Sequence, residues 1–222
     1  MCGRFSLAME AFIISQRFEV PFGIPEWQPR YNIAPSQRCL AIYMEKNQRV
    51  LEPLVWGLIP HWSKDKKSGF QMINARAETL NSKPTFRSLI QTKRCLVPAD
   101  GFFEWKKTAA GKIPFRVALK SGELFAFAGL WDSWQDENEK VIKSFTIITT
   151  EANTLVSQLH DRMPVILKRE DEGRWLDPVI HDYDKLEPFF RPYASEGMTL
   201  YEVPSLVNSW KNDSPACIHR LD

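Results

Sequence analysis

The stretch IPFRVALKSGELFAFAGLWDSW, residues 113–134, decides the fold class. It holds two short runs rich in apolar, β-branched and aromatic side chains, separated by the turn-forming residues Lys120-Ser121-Gly122-Glu123. Such runs are too short and too interrupted for packed helices and read as strands. Upstream, KRCLVPADGFFEWKK (93–107) has the same character and is set off by TAAGK (108–112); downstream, SFTIITTEAN (144–153) is the clearest strand. CLAIYM (39–44) and RVLEPLVWGLIP (49–60), joined by the polar EKNQ, predict a hairpin. Helical spacing is confined to the margins. LAMEAFIISQR (7–17) predicts a short amphipathic helix, EANTLVSQLH (151–160) a short helix ending near His160, and KREDEGRWLD (168–177) an exposed one. Prolines 21, 25, 29 and 35 predict a long stiff loop over 20–37. No repeat or linker interrupts the chain. The expectation is one α+β domain over 1–222, with a curled, mainly antiparallel, barrel-like sheet and peripheral helices.

At 222 residues and 44% hydrophobic, the chain can bury a substantial core, and 12% aromatic content argues against disorder. A net charge of +2 does not by itself announce a polyanion partner, so any nucleic-acid surface must be local. Cysteines 2, 39, 95 and 217 form no C-x-x-C pair, and histidines 61, 160, 181 and 219 do not fall into metal-ligand spacing with them. Neither a signal peptide nor a transmembrane run is apparent. These features predict an intracellular, cytoplasmic protein with reduced thiols, no metal, no cofactor and no membrane partner.

The N-terminal MCGRF carries the most distinctive chemistry. A lone cysteine is more often a small buried hydrophobe than a nucleophile. Loss of Met1, however, would leave Cys2 with a free α-amine beside its thiol. That amine, with an ordinary pKa of about 7.7–8.0, is partly unprotonated near neutrality, whereas lysine near 10.4 is not. It can form a Schiff base with an aldehyde, and the thiol can then close a five-membered thiazolidine. INARAET (73–79) sets Asn74 and Arg76 on one face if extended. With Lys83, Arg87, Lys93 and Arg94 against Glu78, it makes a local basic patch. In PADGFFEW (98–105), Glu104 lies among aromatics that would raise its pKa into a useful range for proton transfer, unless strand alternation turns it outward. LHDRMP (159–164) offers His160 as a proton shuttle or as a structural histidine paired with Asp161. In WGLIPHWS (56–63), Trp62 sits between His61 and Ser63 in a loop-like setting suited to stacking on bases.

Taken in order, MCGRF, RYNIAP (30–35), WGLIPHW, INARAET, PADGFFEW and LHDRMP resemble the SRAP, or SOS response-associated peptidase, family over residues 2 to about 165. The resemblance implies a protein that shields abasic sites in single-stranded DNA through a Cys2 thiazolidine. Asn74 would orient the sugar and the Cys2 amine, Glu104 would act as acid and base in sugar opening, and His160 would shuttle protons. Arg4, Arg76 and Arg87 would hold phosphates, Trp62 and Pro35 would line the junction at the missing base, and Thr149 would make a lesser contact. The sequence has a single tryptophan at PHWS, where relatives can carry a second. The resemblance also implies self-processing before Cys2 and a competing lyase reaction. We expect a monomer; no replication partner is named by the sequence. Two other classes stay open on the residues alone: an N-terminal-nucleophile amidotransferase, which also begins with Cys-Gly, and a non-catalytic single-stranded nucleic-acid binding module.

Overall fold

Strand-forming runs that alternate with short turns can avoid open edges by closing on themselves, and this chain does so around one long strand. The structure, a computed structural model, describes residues 2–21, 27–109 and 111–221. In chain order, its elements are β1 (Phe5–Leu7), α1 (Ala11–Phe18), β2 (Arg30–Ile33), β3 (Arg38–Glu45), β4 (Gln48–Trp56) and β5 (Asn74–Arg76). Then come α2 (Pro84–Thr92), β6 (Arg94–Ala99), β7 (Gly101–Thr108), β8 (Gly111–Leu119), β9 (Phe125–Gln135) and β10 (Val141–Glu151). The chain ends with β11 (Arg162–Pro164), β12 (Ile166–Leu167), α3 (Glu172–Leu176), α4 (Tyr183–Leu186) and β13 (Met198–Glu202).

β10 pairs with β9 in antiparallel register from Val141↔Gln135 to Ile147↔Gly129. At Ser144 and Phe145 it also runs parallel to β4. Strands β10-β4-β3-β6-β9 therefore close into a barrel, with β5, β11 and β12 added at its rim. A second, five-stranded sheet has the order β13-β8-β7-β1-β2. The α+β class and the barrel-like, mainly antiparallel core are as the sequence predicts; the parallel β10–β4 and β10–β5 pairings are not visible in local patterning.

The β3–β4 hairpin forms where expected. Lys46 and Asn47 both take positive φ, 49° and 62°, as a two-residue turn matching strand twist requires. The decisive stretch 113–134 does give two strands, yet they do not pair with each other. β8 joins β7 and β13, β9 joins the barrel, and residues 120–123 cross between the sheets. KRCLVPADGFFEWKK likewise divides into β6 and β7 at Asp100. Buried Asp100 accepts from Ser6 Oγ at 2.5 Å and Ala8 N at 2.8 Å, and pairs with Arg116 at 2.9 Å. A Cβ on Gly101 would sit 2.6 Å from the Arg116 guanidinium, which its bonds to Asp100 and Tyr201 hold in place.

Several helix and loop boundaries differ from the sequence reading. Leu7 lies in β1 and α1 starts at Ala11. The proline-rich loop contains β2; residues 22–26, Pro25 included, lie outside the described residues. β2 is held by partners distant in sequence: β1 on one edge, and Asp213 Oδ1, which accepts from Tyr31 N at 2.6 Å and Asn32 N at 3.0 Å, on the other. The helix expected over 151–160 reduces to a 3-10 turn at Val156–Gln158. Asn153 Oδ1 stabilises that turn by accepting from the amides of Leu155 and Val156. The helix expected to be exposed is half-buried: Glu172, Trp175 and Leu176 face inward, and Glu172 takes a bidentate pair from Arg17 at 2.8 and 2.9 Å.

The core runs through both sheets. Phe5 of β1 meets Trp56 of β4 edge-on at 5.0 Å and Phe127 of β9 at 5.7 Å. Phe102 of β7 meets the same Phe127 at 6.1 Å. Aromatic edges of this kind add roughly 0.5–1.5 kcal/mol each beyond burial. They pin the start of the chain to the barrel only three residues after Cys2.

Candidate active site

Cys2 is fully buried. Its carbonyl accepts a hydrogen bond from Asn74 Nδ2 at 2.9 Å, and its thiol points to the Arg4 carbonyl at 3.9 Å. Burial pushes the Cys2 thiol far above its ordinary range, and the charge of Glu104 adds to the rise. Met1 lies outside the described residues. Asn74 opens β5, which runs parallel to β10 with Ile147 opposite it. The Asn74–Cys2 bond therefore ties the barrel rim to the N-terminal segment of the other sheet. Asn74 Oδ1 is buried and has no hydrogen-bond partner among the described residues.

β7 places Glu104. Phe5 is opposite Phe102, and Phe103 N donates to Arg4 O at 2.9 Å, which brings Glu104 level with Gly3, just before β1. The sequence leaves open whether Glu104 turns outward; it does not. Both faces of β7 are covered at this point, Phe102 by the main core and Phe103 by a smaller cluster with Val203, Val207 and Cys217. Glu104 is 4% exposed, and burial pushes its pKa up to about 7. A carboxyl group in that range can give or take a proton near neutral pH.

His160 follows the 3-10 turn. Its Nδ1 lies 3.0 Å from the Arg162 amide and 2.7 Å from Asp161 Oδ1. The amide asks for a lone pair at Nδ1 and the Asp161 carboxylate for a proton; in either case both neighbours engage Nδ1 and Nε2 is the other ring nitrogen. Burial, with the nearby cations Lys107 and Arg162, lowers the His160 pKa despite Asp161, consistent with a neutral ring. Glu104 and His160 line one groove of about 870 Å3, together with Trp105, Lys107, Gln158 and Asn208. The structure thus places Cys2 on the segment before β1, Asn74 on β5, Glu104 on β7 and His160 on the segment before β11.

The basic patch is smaller than its sequence suggests. Arg94 is buried and spends its guanidinium on the carbonyls of Ile90, Gln91, Trp175 and Asp177, closing the ends of α2 and α3. Lys93 donates to Asp132 at 2.7 Å. Arg76, Lys83 and Arg87 remain exposed. Arg4 Nη1 donates to Asn32 Oδ1 at 2.7 Å and Val207 O at 2.8 Å, and the guanidinium lies over Trp105. Thr149 is buried; its carbonyl accepts from Arg162 Nη2 at 2.6 Å. Pro35 is half-buried just after β2.

Trp62 is 61% exposed, as its loop setting predicts. Asp132 holds that loop: it accepts from His61 N at 2.8 Å, while His61 Nδ1 approaches it at 2.9 Å. Gly57 and Gly69 close the loop's base, where a Cβ on Gly57 would lie 2.4 Å from Gly69 O.

The SOS response associated peptidase (SRAP) family description matches residues 1–210. The chain belongs to the SOS response associated peptidase family. Among SRAP relatives, "Abasic site processing protein YoqW" of Bacillus subtilis (strain 168) is 49% identical over 221 residues, covering 98% of this chain and 99% of that one. "Abasic site processing protein HMCES" of Gallus gallus is 30% identical, over 87% of this chain and 68% of the relative. A crystal structure of a Bacteroides thetaiotaomicron protein superposes with a TM-score of 0.88 at 29% identity, covering 99% of this chain and all of that one.

Sequence reasoning about this SRAP chain misses three supporting residues. Asn32 anchors Arg4, Asp132 anchors the Trp62 loop, and Arg162 links Thr149 to Glu78 through a bidentate pair at 2.6 and 3.0 Å. Arg162 lies inside LHDRMP, but nothing in that string says that its partners are in the turn after β5 and in β10. Among the described residues, no group of three His, Cys, Asp or Glu side chains could hold a metal, and no helix is long and apolar enough to cross a membrane.

Proposed function

We propose that the protein captures abasic sites in single-stranded DNA by forming a thiazolidine at Cys2 after Met1 is removed. The juxtaposition of Cys2 with Asn74 and with a Glu104 whose pKa is near 7 carries this reading. The names of relatives such as YoqW and HMCES, which specify abasic site processing, support the same substrate class.

The abasic sugar is mostly a closed hemiacetal. Glu104, protonated, assists ring opening by donating to the ring oxygen. The free Cys2 amine attacks the aldehyde carbon, and the resulting carbinolamine loses water to give a Schiff base, with His160 Nε2 exchanging the protons involved. The thiol then adds across the C=N bond, sulfur to carbon and its proton to nitrogen. A buried, neutral thiol suits that last step, because the amine rather than a thiolate makes the first attack. Asn74 holds the Cys2 carbonyl and leaves Oδ1 available toward the amine or the sugar. Ring closure removes the iminium character that would otherwise promote β-elimination of the 3′ phosphate, so lyase activity is a minor branch. Arg4, Arg76 and Arg87 hold the backbone, while Trp62 and Pro35 occupy the junction where a base is missing; Thr149 is buried and acts only by holding Arg162. Removal of Met1 by the protein itself would be the peptidase reaction.

The test is a denaturing gel and intact-mass measurement of the mature protein incubated with a single-stranded oligonucleotide bearing one abasic site. We expect an SDS-resistant adduct equal in mass to protein plus DNA less one water, absent for Cys2→Ala and for protein retaining Met1. No adduct from mature protein would overturn the proposal.

A further inference from the structure

The β7–β8 hairpin carries a charge arrangement that the proposed chemistry leaves unused. Lys107 and Lys112 are directly opposite each other across the antiparallel pair. Side chains so placed have Cβ atoms about 4.5–5.5 Å apart, and like charges there are destabilising. Lys106 lies beside them, and all three lysines are exposed and line the groove that contains Glu104 and His160. Among the described residues, no carboxylate forms an ion pair with any of the three, although other lysines of the chain have such partners in Asp132 and Glu52. Asp161, the other carboxylate in the groove, lies against the His160 ring instead. The site is therefore a facing pair of uncompensated ammonium groups at the rim of a groove, in a sheet different from the one that carries Arg76.

We propose that Lys107 and Lys112 together clamp one backbone phosphate of single-stranded DNA, so that the β7–β8 hairpin grips the strand on the five-stranded sheet while Arg76 and Arg87 grip it on the barrel side. An anion between the two ammonium groups turns their mutual repulsion into shared attraction, and a phosphodiester has the charge and spread of acceptor oxygens to meet both. The proposal rests on the reading of the protein as a binder of abasic single strands. Its test does not use the abasic lesion.

The probe is an undamaged oligothymidylate, with binding followed by fluorescence anisotropy across a salt series. Loss of one phosphate contact from a single strand lowers the salt slope by about 0.7 and weakens binding about fivefold at 0.1 M salt. We expect that loss for the double variant Lys107→Gln, Lys112→Gln, with a melting temperature no lower than the parent's. Lys107→Arg, Lys112→Arg should keep the slope, and a control pair, Lys46→Gln with Lys168→Gln, should leave it unchanged. An unchanged slope in the first variant, an equal loss in the control, or no oligothymidylate binding by the parent would each overturn the clamp. An abasic-site adduct with an unchanged slope overturns the clamp alone; a lost slope with no adduct overturns the capture reaction alone.

Discussion

The side-chain amide of Asn74 donates to the backbone carbonyl of Cys2 at 2.9 Å, and this single bond couples the barrel rim to the residue proposed to react. The bond leaves the Cys2 amine position unblocked and fixes the direction of its peptide group. Asn74→Ala should slow adduct formation by about one to two orders of magnitude, the scale lost when a reacting group is misplaced by about an ångström. Asn74→Asp replaces the donor by a carboxylate oxygen facing a carbonyl and should be at least as slow. Single-turnover rates at saturating abasic DNA measure the effect; a rate equal to the parent's would remove Asn74 from the machinery.

Glu104 links stability and rate to pH with opposite demands. Its pKa rises from 4.5 to about 7 on folding because of burial, so the folded state binds its proton more tightly. The stabilisation is complete below pH 4.5 and is lost as pH rises through 7; the full shift is worth on the order of 3 kcal/mol. Glu104→Gln, neutral at every pH, should therefore melt higher than the parent at pH 8 and gain nothing at pH 4. For adduct formation, a protonated Glu104 and an unprotonated amine are both needed, giving a maximum near neutrality. The variant should be slower at the optimum and lose the alkaline limb. A parent rate that climbs steadily to pH 9 would mean that Glu104 does not act as the acid.

What the sequence made legible was local. The Asn47 turn, the apolar runs that became β3, β4, β6 to β10, and the setting of Trp62 could be seen because each depends on neighbours in the chain. Pairing partners could not. β8 and β9 look like a hairpin because the turn between them is short, yet each buries its apolar face against a strand from elsewhere. β2 was hidden in a proline-rich stretch because Asp213, which satisfies its amides, is distant in sequence. In the site, Cys2 drew attention by its place at the chain start and Glu104 by its aromatic neighbours, whereas the roles given to Asn74 and His160 are what the SRAP resemblance implies. Arg94 misled, since charge alone does not reveal that four backbone carbonyls await it inside.

His160 distinguishes proton transfer from simple hydrogen bonding. The Arg162 amide and the Asp161 carboxylate both engage its Nδ1, which leaves Nε2 as the nitrogen to exchange protons in the proposed reaction. His160→Gln can offer an N–H near that place without titrating, whereas His160→Ala offers none. If His160 shuttles protons, both variants should slow adduct formation or its reversal by about a hundredfold, the lower range for general acid–base catalysis. Recovery in the Gln variant alone would assign the ring a positioning role.

Asp132 should matter twice, for stability and for the loop that presents Trp62. Its carboxylate is buried, and burial alone would raise its pKa; hydrogen bonds from Lys93, His61 and Ser133 outweigh that and hold it below the ordinary aspartate value. Its contribution to stability is therefore present above the unfolded-state pKa and is lost as pH falls through the folded one. Asp132→Ala removes the partner of Lys93 and the acceptor of the His61 amide, for a cost of about 1–2 kcal/mol, between an exposed pair and a fully buried one because Lys93 keeps access to water. Asp132→Asn keeps an acceptor for the His61 amide while losing the charge, and should cost less. The loop's role can be separated from folding by a double-mutant cycle read in abasic-DNA affinity at a temperature where every variant is folded. If Asp132 acts through Trp62, Asp132→Asn and Trp62→Ala should each weaken binding, and the double variant should be no weaker than Trp62→Ala, since the loop then has nothing left to present. Strictly additive losses would confine Asp132 to holding the barrel rim together.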